Sequence, residues 1–242
     1  MKQTVLITGG TRGIGLSVAE HLAAQGWQIA VSFRGDISAA KKCKERWKSR
    51  GYVFQLFQSD LSDKESAQRL PAQVVDACGR LDALVNNAGM TDDGSFLSME
   101  SARYERVLNT NLIGTMRLTA AALPFLLKSP TPMIVNIASL AGIVGKEGQV
   151  AYATSKGGLI GFTHLLNRKY ASQGLQVNAV APGFIETDMV SELSSDMYAH
   201  ILKGTATNRM GQPGEVAEAV SFLLRPGYVR GTTIKVDGGF KR

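Results

Sequence analysis

The residue types with the clearest chemical potential are a tyrosine and a lysine four positions apart, Tyr152 and Lys156, with Ser139 thirteen residues before the tyrosine. Residues four apart lie on one face of a helix, about one turn from each other. A free phenol titrates near ~10, and a neighbouring cation lowers that value, so the pair predicts a tyrosine that acts as an acid near neutral pH. Because such pairs also occur by chance, the rest of the chain must support the prediction.

The elements that would position these residues alternate between apolar strands and longer helical segments. The predicted strands are 4–8, 28–33, 52–58, 83–86, 133–137, 176–181 and 233–236. The predicted helices are 14–25, 39–50, 64–78, 99–127, 151–173 and 214–224. Continuous apolar strands suit a sheet that is covered on both faces. The alternation therefore predicts a single α/β domain over residues 1–242, with a doubly wound, seven-stranded parallel sheet and helices on both faces.

The composition is that of an ordinary globular protein, with 44% hydrophobic and 19% charged residues. The two cysteines, Cys43 and Cys78, form neither a disulfide framework nor a metal-ligand spacing, which favours a reducing cytoplasm and no metal site. The chain enters a predicted strand at residue 4, which leaves no room for a signal peptide. No apolar run approaches the ~20 residues of a membrane span, so we expect a cytoplasmic protein without a membrane partner.

The net charge of +7 is concentrated in one segment, because residues 34–50 carry seven cations and two anions. The simplest interpretation is a solvated helix face. The alternative is a positive field around a phosphate-bearing ligand. Nucleic acid is a weaker alternative, since no recognition motif or array of stacking aromatic residues accompanies the charge.

A glycine-rich turn separates the first predicted strand from the first predicted helix, in the order Thr8-Gly9-Gly10-Thr11-Arg12-Gly13-Ile14-Gly15. Glycines permit a tight turn and a close approach of the backbone to a pyrophosphate, and the start of the helix offers free N–H groups to the phosphates. Such a turn alone could be purely structural. Its place between strand and helix predicts a dinucleotide site.

The spacing of these glycines, Gly-x-x-x-Gly-x-Gly, resembles that of the short-chain dehydrogenase/reductase family. The resemblance covers residues 3–240 and is carried by several further motifs in the same order: Asn86-Asn87-Ala88-Gly89, the four residues Asn111, Ser139, Tyr152 and Lys156, Pro182-Gly183, and Val236-Asp237-Gly238-Gly239. It implies a Rossmann-type fold and a homotetramer formed through the helices at 99–127 and 151–173 and through the last strand.

The resemblance also implies a set of cofactor-binding residues. They are Gly9, Thr11, Arg12, Gly13, Ile14, Gly15, Arg34, Asp60, Leu61, Asn87, Ala88, Gly89, Tyr152, Lys156, Pro182, Gly183, Ile185 and Thr187. Among them, Asp60 and Leu61 are expected to bracket the adenine and Asn87 to support the adenosine side. Ile185 and Thr187 are expected to meet the nicotinamide and the phosphates.

Two positions bear on which nicotinamide cofactor binds. The second strand ends in Ser32-Phe33-Arg34, without the acid that usually binds the ribose 2′-hydroxyl of NAD. Arg12 in the glycine turn is a second cation, and guanidinium groups match the geometry of a phosphate. We therefore expect NADP(H), with the nearby Asp36 as the residue that would favour NAD.

The family's chemistry is hydride transfer to a carbonyl with delivery of a proton to the oxygen. By resemblance, Tyr152 is the general acid, Lys156 lowers its pKa and holds the ribose hydroxyls, and Ser139 bonds the substrate oxygen. Asn111 would hold a water that links Lys156 to solvent. Taken singly, Ser139 could be a turn cap and Asn111 a buried polar residue. A protein that senses NADP(H) without turnover is the alternative outside enzymes.

Within the family the chain is most similar to 3-oxoacyl-[acyl-carrier-protein] reductases, on three stretches: Met90–Asp93, Gly157–Phe162 and Ala181–Met189. This implies reduction of a 3-oxoacyl chain on an acidic carrier protein, in fatty-acid or polyketide-like or aryl-polyene synthesis. A CoA-thioester ketoreductase and another small carbonyl reductase remain alternatives. The positions where those reductases commonly carry basic residues read Pro130 and Gln173, so the candidate docking residues are Lys128, Arg168 and Lys169.

The stretch 186–212 breaks the alternation of strands and helices. Open α/β sheets bind ligands beyond the carboxyl ends of their strands, so a long insertion after a strand predicts a substrate lid. A surface excursion without function is the alternative, although loops of this length are uncommon unless they are functional.

Overall fold

The computed structural model describes residues 2–187 and 195–241 of the chain. The strands of this part are β1 Thr4–Thr8, β2 Gln28–Phe33, β3 Phe54–Gln58, β4 Ala83–Asn86, β5 Met133–Ile137, β6 Gln176–Pro182 and β7 Thr233–Val236. The helices are α1 Gly13–Ala24, α2 Ile37–Ser49, α3 Lys64–Cys78, α4 Ser101–Leu108, α5 Thr115–Leu126, α6 Ala141–Val144, α7 Val150–Tyr170, α8 Ser195–Gly204 and α9 Pro213–Leu223. A π-helical turn, Asn109–Gly114, joins α4 to α5, and a 3₁₀ turn, Ala171–Gln173, follows α7.

The strands of the described residues form one parallel sheet in the order β3-β2-β1-β4-β5-β6-β7. The order reverses direction between β1 and β4, where Val5 pairs with Ala83 and Ile7 with Val85. Successive side chains of a strand point to opposite faces, and both faces are covered here. The predicted doubly wound α/β fold with a seven-stranded parallel sheet is thus confirmed, and β1 and β4 leave a crevice beyond their carboxyl ends.

The core has one layer on each face of the sheet. Val5 and Ile7 pack with Val18 and Leu22 of α1 and with Val220 of α9 on one face. The other face is formed by Leu6 and Ile134 with residues of α3, α5 and α7, among them Leu70, Leu118 and Leu166. Each fully buried side chain of this size stabilises the fold by about 1.5–3 kcal/mol relative to exposure, so the sheet is a rigid base for the loops at its carboxyl edge.

The helix predicted over 99–127 is interrupted at its centre by the π-helical turn, and this boundary was not predicted. The turn brings Gly114 against the loop after β3, where an added Cβ would lie 2.2 Å from the carbonyl oxygen of Leu61. One extra residue in the turn also directs the side chain of Asn111, which is fully buried, toward the loop after β4. Such turns are frequent at functional sites in α-helices.

The predicted lid, 186–212, contains a helix, α8, that the sequence reading missed. Residues 188–194 lie outside the described residues. The end of the segment is fixed, because Glu186 N donates to Gly211 O at 2.8 Å and Ala206 N donates to Gly238 O at 2.9 Å. The Arg209 guanidinium and the Gln212 N–H lower the pKa of the Glu215 carboxyl to about 2. The ion pair between Arg209 and Glu215 therefore stays charged at neutral pH. The role of this segment as a lid stays a prediction.

Candidate active site

The glycine turn between β1 and α1 is shaped by backbone conformations and contacts that a side chain would prevent. Gly9 and Gly13 have φ angles of +64° and +52°, in the left-handed region that favours glycine. A Cβ on Gly15 would lie 2.4 Å from Gly9 O and 2.5 Å from Asn87 Nδ2. Among the described residues no side chain caps the first turn of α1, which begins after the extended residue Arg12. The turn therefore presents open backbone N–H groups, as a pyrophosphate requires.

Asn87 fastens this turn to the end of β4. Its Nδ2 donates to Thr8 O at 2.8 Å and to Gly9 O at 3.1 Å. The Thr8 hydroxyl in return accepts from the backbone N–H groups of Asn87 and Ala88 at 3.0 and 2.9 Å. The predicted residues Gly9, Asn87 and Ala88 are thus brought together. The contacts of Asn87 hold the turn, whereas the sequence reading assigned it to the adenosine.

Lys156 lies in the second turn of α7 and is almost fully buried. Its Nζ donates to the carbonyl oxygen of Ile137, the last residue of β5, at 2.7 Å. An added Cβ on Gly89 would lie 3.4 Å from this Nζ, so the loop after β4 runs directly beside it. Burial lowers the pKa of Lys156 to about 8, which brings its titration close to neutral pH.

Asn111 connects the π-helical turn to the loop after β4. Its Oδ1 accepts from Met90 N at 2.8 Å, and its Nδ2 donates to Met90 O at 2.9 Å and to Ser155 Oγ at 3.1 Å. Both backbone groups of Met90 are therefore satisfied by one side chain. The contacts join the π-helical turn, the loop after β4 and α7, and they bring Asn111 next to Lys156, since a Cβ on Gly89 would be within 3.4 Å of both side chains.

Tyr152 and Ser139 lie at the carboxyl end of β5. Burial raises the pKa of the Tyr152 phenol, the neighbouring Ser139 hydroxyl acts in the opposite direction, and the carboxylate of Asp93 adds to the rise. Lys156 Nζ is 5.7 Å from the centroid of the Tyr152 ring. Burial is the largest cause of this rise and acts against the lowering expected from Lys156, whose own effect on Tyr152 stays a prediction. Tyr152 stays protonated at neutral pH, as a proton donor must.

Ser139 also has the structural role that the sequence left open. Its Oγ accepts from Ala141 N at 3.2 Å, which caps the start of the short helix α6. That helix lies against α7, where a Cβ on Gly142 would be 2.6 Å from the backbone carbon of Lys156. The cap uses only a lone pair of Ser139 Oγ, so the hydroxyl proton can donate elsewhere and the cap does not prevent a bond to a substrate oxygen.

The charged residues beyond β2 have different partners. Arg12 and Arg34 are exposed, and within residues 2–187 and 195–241 neither forms an ion pair. Asp36 caps α2, since its Oδ1 accepts from Ala39 N at 2.8 Å. The carboxylate that would favour NAD is thus engaged by its own helix, whereas both guanidinium groups are available to an anion.

The remaining predicted cofactor residues lie at the same edge of the sheet. After β3, the carboxylate of Asp60 accepts from Ser62 N at 2.9 Å, and Leu61 is buried. After β6, Gly183 N donates to Val236 O at 2.9 Å, and Ile185 is buried in the core. Thr187 reaches the glycine turn, because a Cβ on Gly13 would be 3.4 Å from its Cγ2. Ends of distant strands thus meet around one crevice.

Comparisons with known proteins agree with this geometry. Residues 3–198 match the short chain dehydrogenase family. The chain belongs to this family. A 3-oxoacyl-[acyl-carrier-protein] reductase of Staphylococcus aureus is 37% identical over 241 residues, covering 99% of this chain and 98% of the relative. The enzyme of that name from Vibrio harveyi is 39% identical over 236 residues, covering 97% and 95%. Nodulation protein G of Azospirillum brasilense is 35% identical over 240 residues, covering 98% of each chain.

The resemblance drawn from the motifs is thereby confirmed, and membership of this dehydrogenase family makes the chain an oxidoreductase with a nicotinamide cofactor. In the part of the chain that the structure describes, no helix is both long enough and apolar enough to cross a membrane. The specific roles of the individual site residues stay predictions.

The three candidate docking residues lie far from this short-chain dehydrogenase site within one chain. Lys128 follows the end of α5, and Arg168 and Lys169 lie in the last turn of α7. These helix ends lead into the amino ends of β5 and β6, at the opposite edge of the sheet from Tyr152. Sixteen residues of helix separate Tyr152 from Arg168, which at ~1.5 Å per residue is about 24 Å. The expected basic rim around the site is therefore not formed by these residues of the same chain.

Two participants were missed by sequence reasoning. The carbonyl oxygen of Ile137 accepts a hydrogen bond from Lys156 Nζ. Because every residue has such a carbonyl, the sequence cannot indicate this partner. Asp93 acts on Tyr152 through its charge and bonds Gln149 at 2.7 Å. The consecutive acids Asp92 and Asp93 after a strand could have indicated a polar contact at the carboxyl edge, but not its partner.

Proposed function

We propose that this chain catalyses the NADPH-dependent reduction of a 3-oxoacyl thioester, carried on an acyl-carrier protein, to the 3-hydroxyacyl form. The observation that carries the proposal is the convergence of Tyr152, Lys156, Ser139 and Asn111 at the carboxyl ends of β4 and β5, beside a glycine turn with an uncapped helix start. The named relatives at 37% and 39% identity support the acyl-carrier-protein thioester as substrate class.

The residues of the crevice fit a nicotinamide dinucleotide. The backbone of Gly13, Ile14 and Gly15 would hold the pyrophosphate, and the positive φ of Gly9 and Gly13 leaves room for its approach. Asp60 and Leu61 follow β3 and would bracket the adenine, and Thr187 lies against the glycine turn. When bound, this cofactor supplies the hydride.

The chain's own residues supply the proton and the charge stabilisation. Tyr152, whose pKa burial raises further above neutral pH, donates its proton to the oxygen that develops from the carbonyl. The Ser139 hydroxyl donates a hydrogen bond to the same oxygen. Lys156, with a pKa of about 8, is the next proton source along the helix. Asn111 fixes the backbone of Met90 in the loop beside Lys156.

The preference for NADPH rests on the charges beyond β2. One carboxylate oxygen of Asp36 accepts from the N–H of Ala39, which makes this acid less available to an unphosphorylated ribose. Arg12 and Arg34 flank the same end of the crevice, and two guanidinium groups would bind a 2′-phosphate strongly. The dense positive charge of α2 adds a favourable field for a phosphorylated ligand.

An acidic carrier protein would need a basic surface close to the active site. Lys128, Arg168 and Lys169 could dock an acidic carrier at the site only if another copy of the chain brought them there. A two-fold packing of α5 and α7 against their counterparts would run these helices antiparallel and bring such ends toward a neighbouring site. The exposed apolar side chains Met116 and Leu165 on these helices support a homo-oligomer. Within one chain, the distance of the three basic residues from the site equally favours a CoA-thioester reductase, which needs no docked carrier.

Initial rates of NADPH oxidation on one 3-oxoacyl chain, presented on acyl-carrier protein and on CoA, test the proposal. A large preference in kcat/KM for the carrier-protein form supports the carrier-dependent reductase. Equal or faster turnover of the CoA form would assign a general thioester ketoreductase. Binding of NADPH without its oxidation on either substrate would favour a sensor. In that case the Tyr152→Phe variant should bind NADPH as the unaltered protein does.

A further inference from the structure

Two loops meet beside the catalytic tyrosine and are joined by two hydrogen bonds. The loop after β4 contributes Asp93 and Gly94, and the loop before α7 contributes Gly148 and Gln149. Gln149 Nε2 donates to Asp93 Oδ2 at 2.7 Å, and Gly94 N donates to Gly148 O at 2.9 Å. One side-chain bond and one main-chain bond thus fix the two loops to each other.

The loop after β4 is itself held by residues of α4. Both Arg103 and Arg106 form ion pairs with Asp92, and Arg103 Nη2 also donates to Asp93 O at 2.9 Å. At its other end Asn111 binds both backbone groups of Met90. The loop that carries the Asp93 carboxylate is therefore held in place by these bonds, and Asp93 can in turn hold a neighbouring segment.

The loop before α7 needs such a fixed point because α7 begins at its end. Gln149 is the residue before the helix, its carbonyl accepts from Ala153 N at 2.8 Å, and Tyr152 lies in the first turn. Among the described residues no side chain caps this first turn. Helix ends fray when they are not held, whereas Lys156, one turn further on, is fixed by Ile137 O.

We propose that Asp93 and Gln149 form a clasp that positions Tyr152, with Asp93 as the fixed side and Gln149 as the attachment of the catalytic helix. The proposal rests on the proposed function, because it assigns how that site is held in its productive arrangement. Both are positioning residues: they act through Tyr152 and not on the substrate. The braced Asp93 also faces Tyr152 with its negative charge, which favours the protonated phenol.

The charged and polar groups around Tyr152 come from several elements. Lys156 lies on its own helix, Ser139 follows β5, and Asp93 follows β4. Of these, Asp93 is the negative one. Removing its charge and breaking its bond are separable changes, which allows the clasp to be tested apart from electrostatics.

A double-variant cycle tests the clasp. Gln149→Glu sets two carboxylates against each other, and we expect kcat to fall about tenfold with KM for NADPH unchanged, the size of effect seen for coupled neighbouring residues. Asp93→Asn keeps an oxygen that accepts from Gln149 and removes only the charge, so its kcat is the reference for the double variant. When both substitutions are combined, the new amide at position 93 donates to the new carboxylate at position 149, and kcat should return to within about threefold of Asp93→Asn. Gln73→Glu on the exposed face of α3 is the matched control.

A Gln149→Glu variant with full kcat would overturn the proposal, and so would a double variant in which the two effects simply multiply. NADPH binding followed by fluorescence, together with thermal melting, shows whether each variant is folded. Loss of folding in Gln149→Glu alone leaves the double variant and Gln149→Leu to decide, since the latter removes the bond without adding a charge and should also lower kcat.

A second readout does not need turnover. With ¹³C at the ζ carbon of tyrosine, and the signal of Tyr152 assigned from Tyr152→Phe, the pH titration of the phenol is followed by NMR. Asp93→Asn should lower the pKa of Tyr152, whereas Gln149→Leu should broaden or shift its signal at constant pH. If the unaltered protein reduces no thioester, the proposed function fails, while these signals still decide the clasp. Unchanged signals in both variants would contradict it.

Discussion

The glycine turn and the catalytic corner lie side by side at one edge of the sheet, but they are held in different ways. The turn is shaped by close main-chain contacts, since a Cβ on Gly15 would come within 2.4 Å of Gly9 O, and the Asn87 side chain fastens it to the end of β4. The catalytic corner is held by side chains that reach distant backbone or loops: Lys156 to Ile137, Asn111 to Met90, and Gln149 to Asp93. The first region has no room for a Cβ at Gly15, whereas the second depends on particular polar groups.

The largest effect is expected in the glycine turn. Gly15→Ala places a methyl group 2.4–2.5 Å from Gly9 O and Asn87 Nδ2, so the turn must open. Affinity for NADPH, measured by fluorescence titration, should fall by more than about a hundredfold, because the backbone amides leave the phosphate position. Gly161→Ala in α7, where nothing lies within 4 Å, is the control and should bind normally. Normal binding by Gly15→Ala would show that the turn is not the pyrophosphate site.

In the catalytic corner, Asn111→Ala removes both bonds to the backbone of Met90. Leaving these part-buried groups unpaired costs up to about 1–3 kcal/mol each, which should lower the melting temperature. We expect kcat to fall at least about tenfold with NADPH affinity retained, since a positioned proton path contributes roughly 10²–10⁴-fold. The measurement is steady-state kinetics beside a thermal melt. An Asn111→Ala variant with full kcat and a lower melting temperature would reduce Asn111 to a structural role.

A smaller effect is expected at the rim of the crevice. Arg34→Ala should weaken NADPH binding about tenfold and leave NADH binding unchanged, because only NADPH carries the 2′-phosphate. Lys48→Ala, an exposed cation elsewhere on the same basic segment, is the control for the general field. Equal losses in the two variants would assign the preference to net charge, and an equal loss for NADH would remove Arg34 from phosphate recognition.

The smallest change is a pH dependence in the catalytic corner. Lys156 is charged below its pKa of about 8 and neutral above it, whereas burial keeps Tyr152 protonated beyond its ordinary range. For reduction, kcat/KM should therefore be highest below pH 8 and fall as pH rises through that value. A profile that is flat from about pH 7 to about pH 9 would show that Lys156 takes no part in proton supply.

The same contrast explains what the sequence could predict. Strands such as β1 and β5 were readable because they are continuous apolar runs, and the glycine turn was readable because positive φ and close approach select glycine. The four residues that we propose as catalytic were readable by resemblance. The carbonyls of Ile137 and Met90, by contrast, are backbone groups that any residue carries, so the partners of Lys156 and Asn111 could not be read.

Other misses come from tertiary contacts. The π-helical turn arises where Gly114 meets Leu61, two segments far apart in sequence. The helix α8 lies in a polar stretch whose composition favours a loop. The cap of Asp36 on α2 was readable in principle, because an acid before a helix often accepts the N–H three residues on, but the predicted helix began two residues late. Whether the pKa of Tyr152 is raised or lowered depends on how deeply the phenol is buried, and only the packed structure shows this burial.

The most direct test of the central claim compares the unaltered protein with Tyr152→Phe. Both are mixed with NADPH and a 3-oxoacyl chain on acyl-carrier protein, and the loss of NADPH absorbance is followed while NADPH binding is measured separately. The account predicts turnover by the unaltered protein and a rate at least about a hundredfold lower in Tyr152→Phe, with equal NADPH affinity. Oxidation at the same rate in both proteins, or in neither, would contradict it.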